Sequence, residues 1–276
     1  LCMAVKRATD CMRCSSRRST IPFHAARRIA ATVSSIASSK SHCGRQPSSV
    51  RAFVDREITP FAAAWDEAGS FPHELYRKAG AIGLLGIGYP EELGGSPATW
   101  RMRNNMSQVL SRLNGSGGLL ASLFSLNIGL PPVLRYGSAD LKQQFIPPVL
   151  RGEKIAALAI TEPGGGSDVA ALRCTATRDG TDYILNGEKV FITSGMRADY
   201  ITVAVRTGEA GSKGSGGISM ILVSGDSPGL SRTRLEKMGW WCSDTADLYF
   251  DNCRVPVENL VGEIGRASCR ERVSSP

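Results

Sequence analysis

Apolar positions along the chain change period near its middle. From Ser48 onward, Val50, Phe53, Val54, Phe61 and Trp65 recur at helical spacing, with Pro60 placed to kink or end the first helix. Leu75, Ala79, Ile82 and Leu85 predict a second helix, closed by the glycine-rich stretch Gly86 to Gly95. Met106, Val109, Leu110 and Leu113 mark a third, ending at Asn114-Gly115, and residues 117–150 read as two more helices separated by Pro131-Pro132 and Gly137. From Arg173 the helical period gives way to short β-prone runs. These are Asp182–Leu185, Lys189–Thr193, Tyr200–Arg206, Ile218–Val223, Ser231–Leu235 and Ala246–Phe250. Asp179-Gly180 and Asn186-Gly187 both read as hairpin turns, because Asn, Asp and Gly tolerate positive φ. Such spacing predicts a small antiparallel barrel or sandwich.

The fold class is therefore α+β: an N-terminal all-α helical domain over 48–155, then a middle antiparallel β-barrel domain over 156–263. Two flanking segments fall outside this pattern. Residues 1–47 are rich in Arg and Ser and lack a clean apolar period, the composition of a disordered or targeting-like tail. Residues 264–276, read after the β domain, form a second segment of different character.

Charge alters this picture in one place. The net charge of +8 is concentrated in residues 1–51, where ten Lys or Arg face the single acid Asp10. The rest of the chain nets to −1, so no basic folded face for nucleic acid is expected. Eight cysteines give no disulfide or zinc framework. Cys11-Met-Arg-Cys14 lacks a second ligand pair at a suitable distance, and Cys174, Cys242 and Cys253 stand singly, as reduced, partly buried thiols do. The longest apolar stretch, Leu119 to Leu134, is interrupted by Ser122, Ser125, Asn127 and Pro131-Pro132, short of the roughly 18–20 apolar residues of a membrane helix. The expectation is a soluble protein with no membrane span. It would be cytoplasmic in a bacterium, or in the mitochondrial matrix if the basic tail is a transit peptide.

Candidate chemistry sits where the two patterns meet. Ile160-Thr-Glu-Pro-Gly-Gly-Gly-Ser-Asp168 is a short apolar lead-in, a polar pair, a proline-fixed turn and a glycine run. Consecutive glycines let backbone N–H groups approach an anion, and Ser167 adds a hydroxyl, which suits a phosphate or pyrophosphate. The same residues would also serve as a flexible linker between domains, and by themselves they leave both readings open. The segment is neither of the common glycine-rich phosphate loops.

Together with Leu185-Asn-Gly-Glu-Lys189 and Phe191-Ile-Thr-Ser-Gly195, this segment closely resembles the acyl-CoA dehydrogenase family. The resemblance covers about 215 residues. It includes Phe53-Val-Asp-Arg-Glu57, Gly80-Ala-Ile-Gly-Leu-Leu-Gly86, Pro90-Glu-Glu-Leu-Gly-Gly95, Lys237-Met-Gly-Trp-Trp-Cys-Ser-Asp-Thr245 and Val255-Pro-Val-Glu-Asn-Leu-Val-Gly-Glu263.

The resemblance implies an FAD-dependent oxidoreductase of fatty acid metabolism that desaturates an acyl-CoA thioester to a trans-2-enoyl-CoA. It implies that Leu158, Ile160, Thr161, Gly166, Ser167, Phe191 and Thr193 bind FAD. Ile160 and Thr161 would approach the flavin ring, and Gly166 and Ser167 the pyrophosphate. Ser167 would also meet the acyl-CoA substrate. Phe191 would pack on the isoalloxazine and Thr193 would lie near N5. Alternation alone places Phe191 in the β core instead. Implied partners are acyl-CoA, an electron-transferring flavoprotein as acceptor, and further copies in a dimer or tetramer. An acyl-CoA oxidase, a flavin monooxygenase relative and an inactive flavin-binding fragment are the alternatives.

The family continues into a C-terminal four-helix bundle that supplies the catalytic Glu, and residues 264–276 do not resemble the entry to it. The catalytic base is unknown, Glu271 does not match its position, and little dehydrogenase activity is expected of these 276 residues. Residues 100–114 also depart from the family, with arginines at Arg101 and Arg103 where acids are usual. Glu162 and Asp168 fit loop and turn structure better than general-base work.

Overall fold

A computed structural model describes residues 48–114, 116–208 and 217–262. The basic tail, Cys11-Met-Arg-Cys14 and the 264–276 segment with Glu271 lie outside the described residues. Helix α1 (Ser48–Glu57) buries Val50, Phe53 and Val54. The chain then turns through Ile58–Phe61, where Pro60 cannot donate to a continuing helix, and resumes as α2 (Ala62–Glu67). Helix α3 (Glu74–Ala81) buries Leu75, Tyr76 and Ala79, and Tyr76 stacks on Phe71 with ring centroids 5.5 Å apart. Helix α4 (Trp100–Asn114) buries Met106, Val109 and Leu110 and packs on α1.

The 117–150 region differs from the expected two helices. It forms α5 (Gly117–Leu123), α6 (Leu126–Gly129), α7 (Pro131–Tyr136) and α8 (Ala139–Leu150). Pro131-Pro132 opens α7 rather than separating helices, because a first-turn proline loses no intrahelical bond and already has helical φ. Ser116 and Ser138 cap α5 and α8, each side chain accepting from the amide three residues on. No single helix among the described residues is long and apolar enough to cross a membrane.

The strands are β1 (Ala156–Ala159), β2 (Thr175–Asp179), β3 (Asp182–Thr193), β4 (Tyr200–Arg206), β5 (Ile218–Ser224), β6 (Leu230–Arg234), β7 (Thr245–Pro256) and β8 (Leu260–Val261). They form one sheet in the order β6-β7-β3-β2-β4-β5-β8, with β1 beside β4. Pairing is antiparallel except where β1 and β2 meet β4 in parallel. Strands β4 and β5 are almost continuously buried, as strands covered on both faces must be.

Asp179-Gly180 makes the expected turn between β2 and β3, with Gly180 at φ +62°. Asn186-Gly187 does not turn the chain. The strand runs through it as a bulge against β7, and the two short runs expected here are one strand, β3. The glycine is required by close approach: a Cβ on Gly187, at φ +134°, would meet the Cys174 backbone at 2.8 Å.

The helical layer is tied to the sheet by side chains aimed at carbonyls. Ser125 Oγ donates to Ala156 O (2.9 Å) and Thr202 Oγ1 to Gly129 O (2.8 Å), while Tyr76 Oη donates to Ser122 O (3.0 Å) within the helical layer. Arg197 joins the two through Asp244 (2.8 Å) and Phe71 O (2.9 Å).

Candidate functional site

β1 leads directly into the glycine loop. Glu162 and Gly165 exchange backbone hydrogen bonds (3.2 and 3.0 Å), so Pro163-Gly164 forms the tip of a tight turn. At Gly164 and Gly165 a Cβ would meet nothing within 4 Å, whereas at Gly166 it would come 3.1 Å from Thr161 Cγ2. Among the described residues the amides of Gly164 and Gly166 make no intramolecular hydrogen bond. Asp168 Oδ1 accepts from Ala170 N (3.2 Å), capping the short turn Val169–Ala171. Arg206 holds the far side through Leu172 O (3.0 Å) and Ala170 O (2.8 Å). The loop is therefore open on one side and anchored on the other, and Ile160, Gly166 and Arg173 help line a small pocket beneath it.

The anchoring comes from Glu162, weighed in the sequence only as loop structure, and from Lys189, read there only as the start of a strand. The Glu162 carboxylate is buried and accepts from Arg173 N (2.7 Å), Cys174 N (2.9 Å) and Lys189 Nζ (2.7 Å). Lys189 is wholly buried and also donates to Ile160 O (3.1 Å). Burial opposes charge on both partners and pushes the Lys189 ammonium down. For Glu162 the same burial cost is outweighed by Lys189 and the two amides, which hold its carboxyl below the usual range. Three donors, one of them an ammonium, hold the buried carboxylate ionised and favour an anchoring role over taking a substrate proton.

Because its folded pKa is depressed, Glu162 stabilises the fold above its unfolded pKa, and that stability is lost as pH falls through the folded value. Denaturant titrations should show unfolding free energy falling below pH of about 4.3, with a shallower fall in Glu162→Gln. An identical slope in the two proteins would contradict this account.

Strand β3 carries the remaining candidates. Between Lys189 and Ile192 its register against β7 slips by one residue, leaving Val190 and Phe191 opposite Asp247. Phe191 sits at φ +61° and donates its amide to Asp247 Oδ1 (3.3 Å). Positive φ on a bulky residue is strained, and a bulge re-aims its side chain. The ring is 63% exposed, so the β-core position that alternation predicts for it is wrong. Phe191 and Thr193 line an open groove of about 540 Å³ with Leu235, Lys237, Trp240 and Thr245. Lys237 shapes the groove by donating to Trp240 O and Ser243 O, and Trp240 packs over the glycines that start α5.

The two halves of the candidate set meet through the backbone. Val190 N donates to Thr161 O (2.9 Å), so the Ile160-Thr161 edge of the loop runs beside the Phe191 bulge. Leu158 lies one step back on β1, half-buried against the core, and Ser167 is exposed at the loop's end. Lys189, Lys237 and Trp240 were not among the sequence candidates. A lysine within an apolar strand run, two residues from the aromatic, was the available signal for the first. The other two fall in the Lys237–Thr245 stretch that carries the family resemblance, which gave them no role.

Cys174, Cys242 and Cys253 are free and buried, and burial pushes the Cys174 and Cys253 thiols up to about 11. Alkylation at pH 8 should therefore be slow in native protein and fast in denaturant. Rapid labelling of Cys174 or Cys253 in native protein would contradict their burial.

Comparison with known proteins agrees with this architecture. Family models described as "Acyl-CoA dehydrogenase, N-terminal domain" and "Acyl-CoA dehydrogenase, middle domain" match residues 46–153 and 157–253. The isobutyryl-CoA dehydrogenase of Dictyostelium discoideum mitochondria is 39% identical over 215 residues, covering 78% of this chain and 51% of that protein. Other relatives at the same 39% identity are named for long-chain and short-chain substrates.

Among solved structures, a probable acyl-CoA dehydrogenase from Mycobacterium abscessus superposes with a TM-score of 0.76 at 46% identity. The match covers 79% of this chain and 57% of that one. An acyl-CoA dehydrogenase from Bacillus anthracis complexed with FAD gives 0.71 at 32% identity, covering 79% and 38%. The chain spans about half the length of the curated relatives it matches. Across its helical and β domains, this chain belongs to the acyl-CoA dehydrogenase family.

Proposed function

We propose that this chain carries the loop-and-strand portion of an FAD site, and that the whole protein uses it to oxidise an acyl-CoA thioester to its trans-2-enoyl form. The observation that carries the reading is the pairing of an open glycine turn with a strained, outward-turned aromatic, joined by the Thr161–Val190 backbone bond. The fit to a flavin dinucleotide rests on both halves. Gly164 and Gly166 are exposed and their amides lack intramolecular partners among the described residues, so a pyrophosphate would add charge-assisted acceptors there, and a Cβ on Gly166 would press on Thr161 Cγ2 at 3.1 Å. At the other end, the exposed Phe191 ring and the groove wall at Trp240 offer flat apolar surface.

FAD, when bound, supplies the hydride acceptor. This chain's residues would hold and orient it: Ile160 and Thr161 at the ring edge, Gly166 and Ser167 at the pyrophosphate, Phe191 against the ring and Thr193 beside it. Ser167 also reaches toward the acyl-CoA, and Leu158 backs the loop. No described carboxylate is assigned as the base, since Glu162 is tied to Lys189 and two backbone amides and Asp168 caps a turn. Electrons pass to an electron-transferring flavoprotein, and the working form is a homo-oligomer. Relatives of equal identity carry different chain-length names, so the substrate class proposed is acyl-CoA and not one chain length.

The test is anaerobic mixing of the FAD-loaded whole protein with saturated acyl-CoA thioesters of several lengths, followed by transfer to the flavoprotein acceptor. Flavin reduction at about 1–10³ per second is expected. Absence of reduction by every thioester would defeat the activity, and rapid reoxidation by air would favour the oxidase alternative.

A further inference from the structure

Lys189 is the largest side chain buried to completion in the described structure, and its partner is an acid in the glycine loop. Fold stability alone does not explain such a pair. Removing two charges from water costs as much as their attraction returns, and apolar residues of similar volume commonly do as well. What an apolar pair could not reproduce is the set of directed bonds. Lys189 Nζ holds Ile160 O (3.1 Å) and Glu162 Oε1 (2.7 Å) together, and the same carboxylate holds the Arg173 and Cys174 amides at the start of β2. Val190, the next residue, donates to Thr161 O (2.9 Å), and Phe191 follows in the bulge. Three separate segments thus converge on one ammonium–carboxylate contact directly behind the proposed flavin edge.

We propose that Glu162 and Lys189 are positioning residues that lock the Ile160-Thr161 edge against the Phe191 bulge, so that the flavin site has its geometry before FAD arrives. The inference rests on the FAD reading. The pair itself touches no ligand. It acts by preventing the glycine loop, whose tip has open space around it, from sampling other arrangements.

The experiment compares wild type, Lys189→Met, Glu162→Gln and the double variant. Methionine keeps the length of the lysine stem, and glutamine keeps the size of Glu162 with one acceptor oxygen. Hydrogen exchange in flavin-free protein should show the Arg173, Cys174 and Val190 amides at least tenfold faster in each single variant. The Thr202 and Met220 amides, in β4 and β5, should remain at wild-type rates. FAD titration should give a Kd at least tenfold weaker with an altered visible circular dichroism band, and the double variant should be no weaker than the worse single. Should Lys189→Met fail to fold, the milder Glu162→Gln carries the same comparison.

Wild-type exchange at the three amides together with a wild-type Kd and flavin spectrum would overturn the proposal. Uniform loss of protection, Thr202 and Met220 included, would also overturn it, by showing a general structural role. If wild type itself fails to bind FAD, the flavin reading falls, while the exchange comparison still decides whether the pair pins the loop.

Discussion

Replacing Arg197 by alanine is expected to lower the free energy of unfolding by about 3 kcal/mol, the low end for breaking a buried ion pair by removing one partner. Arg197 Nε lies 2.8 Å from Asp244 Oδ1, and Asp244 is only 5% exposed. The guanidinium also donates to Phe71 O (2.9 Å) and sits 4.4 Å over the Phe71 ring. Without it, Asp244 keeps only the Met196 amide (2.9 Å) as a donor among the described residues, and the helical layer loses a bond to the β domain. Asp244→Asn, which keeps an acceptor for that amide, should cost less than Arg197→Ala. Urea titrations of both variants check the ordering, and a loss below about 1 kcal/mol for Arg197→Ala would place the pair with weak surface bridges.

Phe191→Gly should move stability and flavin affinity in opposite directions. Left-handed backbone costs a side-chain-bearing residue about 1–2 kcal/mol, and Phe191 at φ +61° bears that cost with a ring that is 63% exposed. Glycine relieves it and forfeits little buried area, although its unfolded-state entropy returns part of the gain. A net stabilisation of about 0.5–1 kcal/mol should appear in denaturant titrations. FAD affinity should fall about tenfold, the upper end of what an aromatic contact contributes. Phe191→Ala separates the effects, since it removes the ring but keeps the strained backbone, so affinity should drop without added stability. A destabilised glycine variant would show that the ring is held by the fold and not by function.

Much of the architecture was legible because local rules and tertiary structure agree. Pro60 breaks the first helix where its missing amide says it must, and Asp179-Gly180 turns one strand into the next. The misreadings have a common cause. Asn186-Gly187 has the same turn chemistry as Asp179-Gly180, but the β7 strand beyond and the Cys174 backbone beside it keep the chain extended as a bulge. Pro131-Pro132 reads as a breaker until α6 is seen to end immediately before it, which makes the prolines a first turn.

Strand alternation put Phe191 in the core because a one-residue bulge, invisible to a period-two count, reverses its side. The glycine loop was readable as a possible anion cradle from composition alone. Its anchor was not, since Glu162 and Lys189 are 27 residues apart and neither local pattern shows that they meet.

The most direct test of the account is equilibrium titration of FAD onto the whole protein, followed by the flavin's visible absorption and by Trp fluorescence. The account predicts saturable binding that perturbs the flavin spectrum, quenches fluorescence through Trp240 at the groove, and weakens about tenfold in Phe191→Gly. No saturable binding, or binding indifferent to Phe191, would contradict the placement of the flavin site on the 160–167 loop and the β3 bulge.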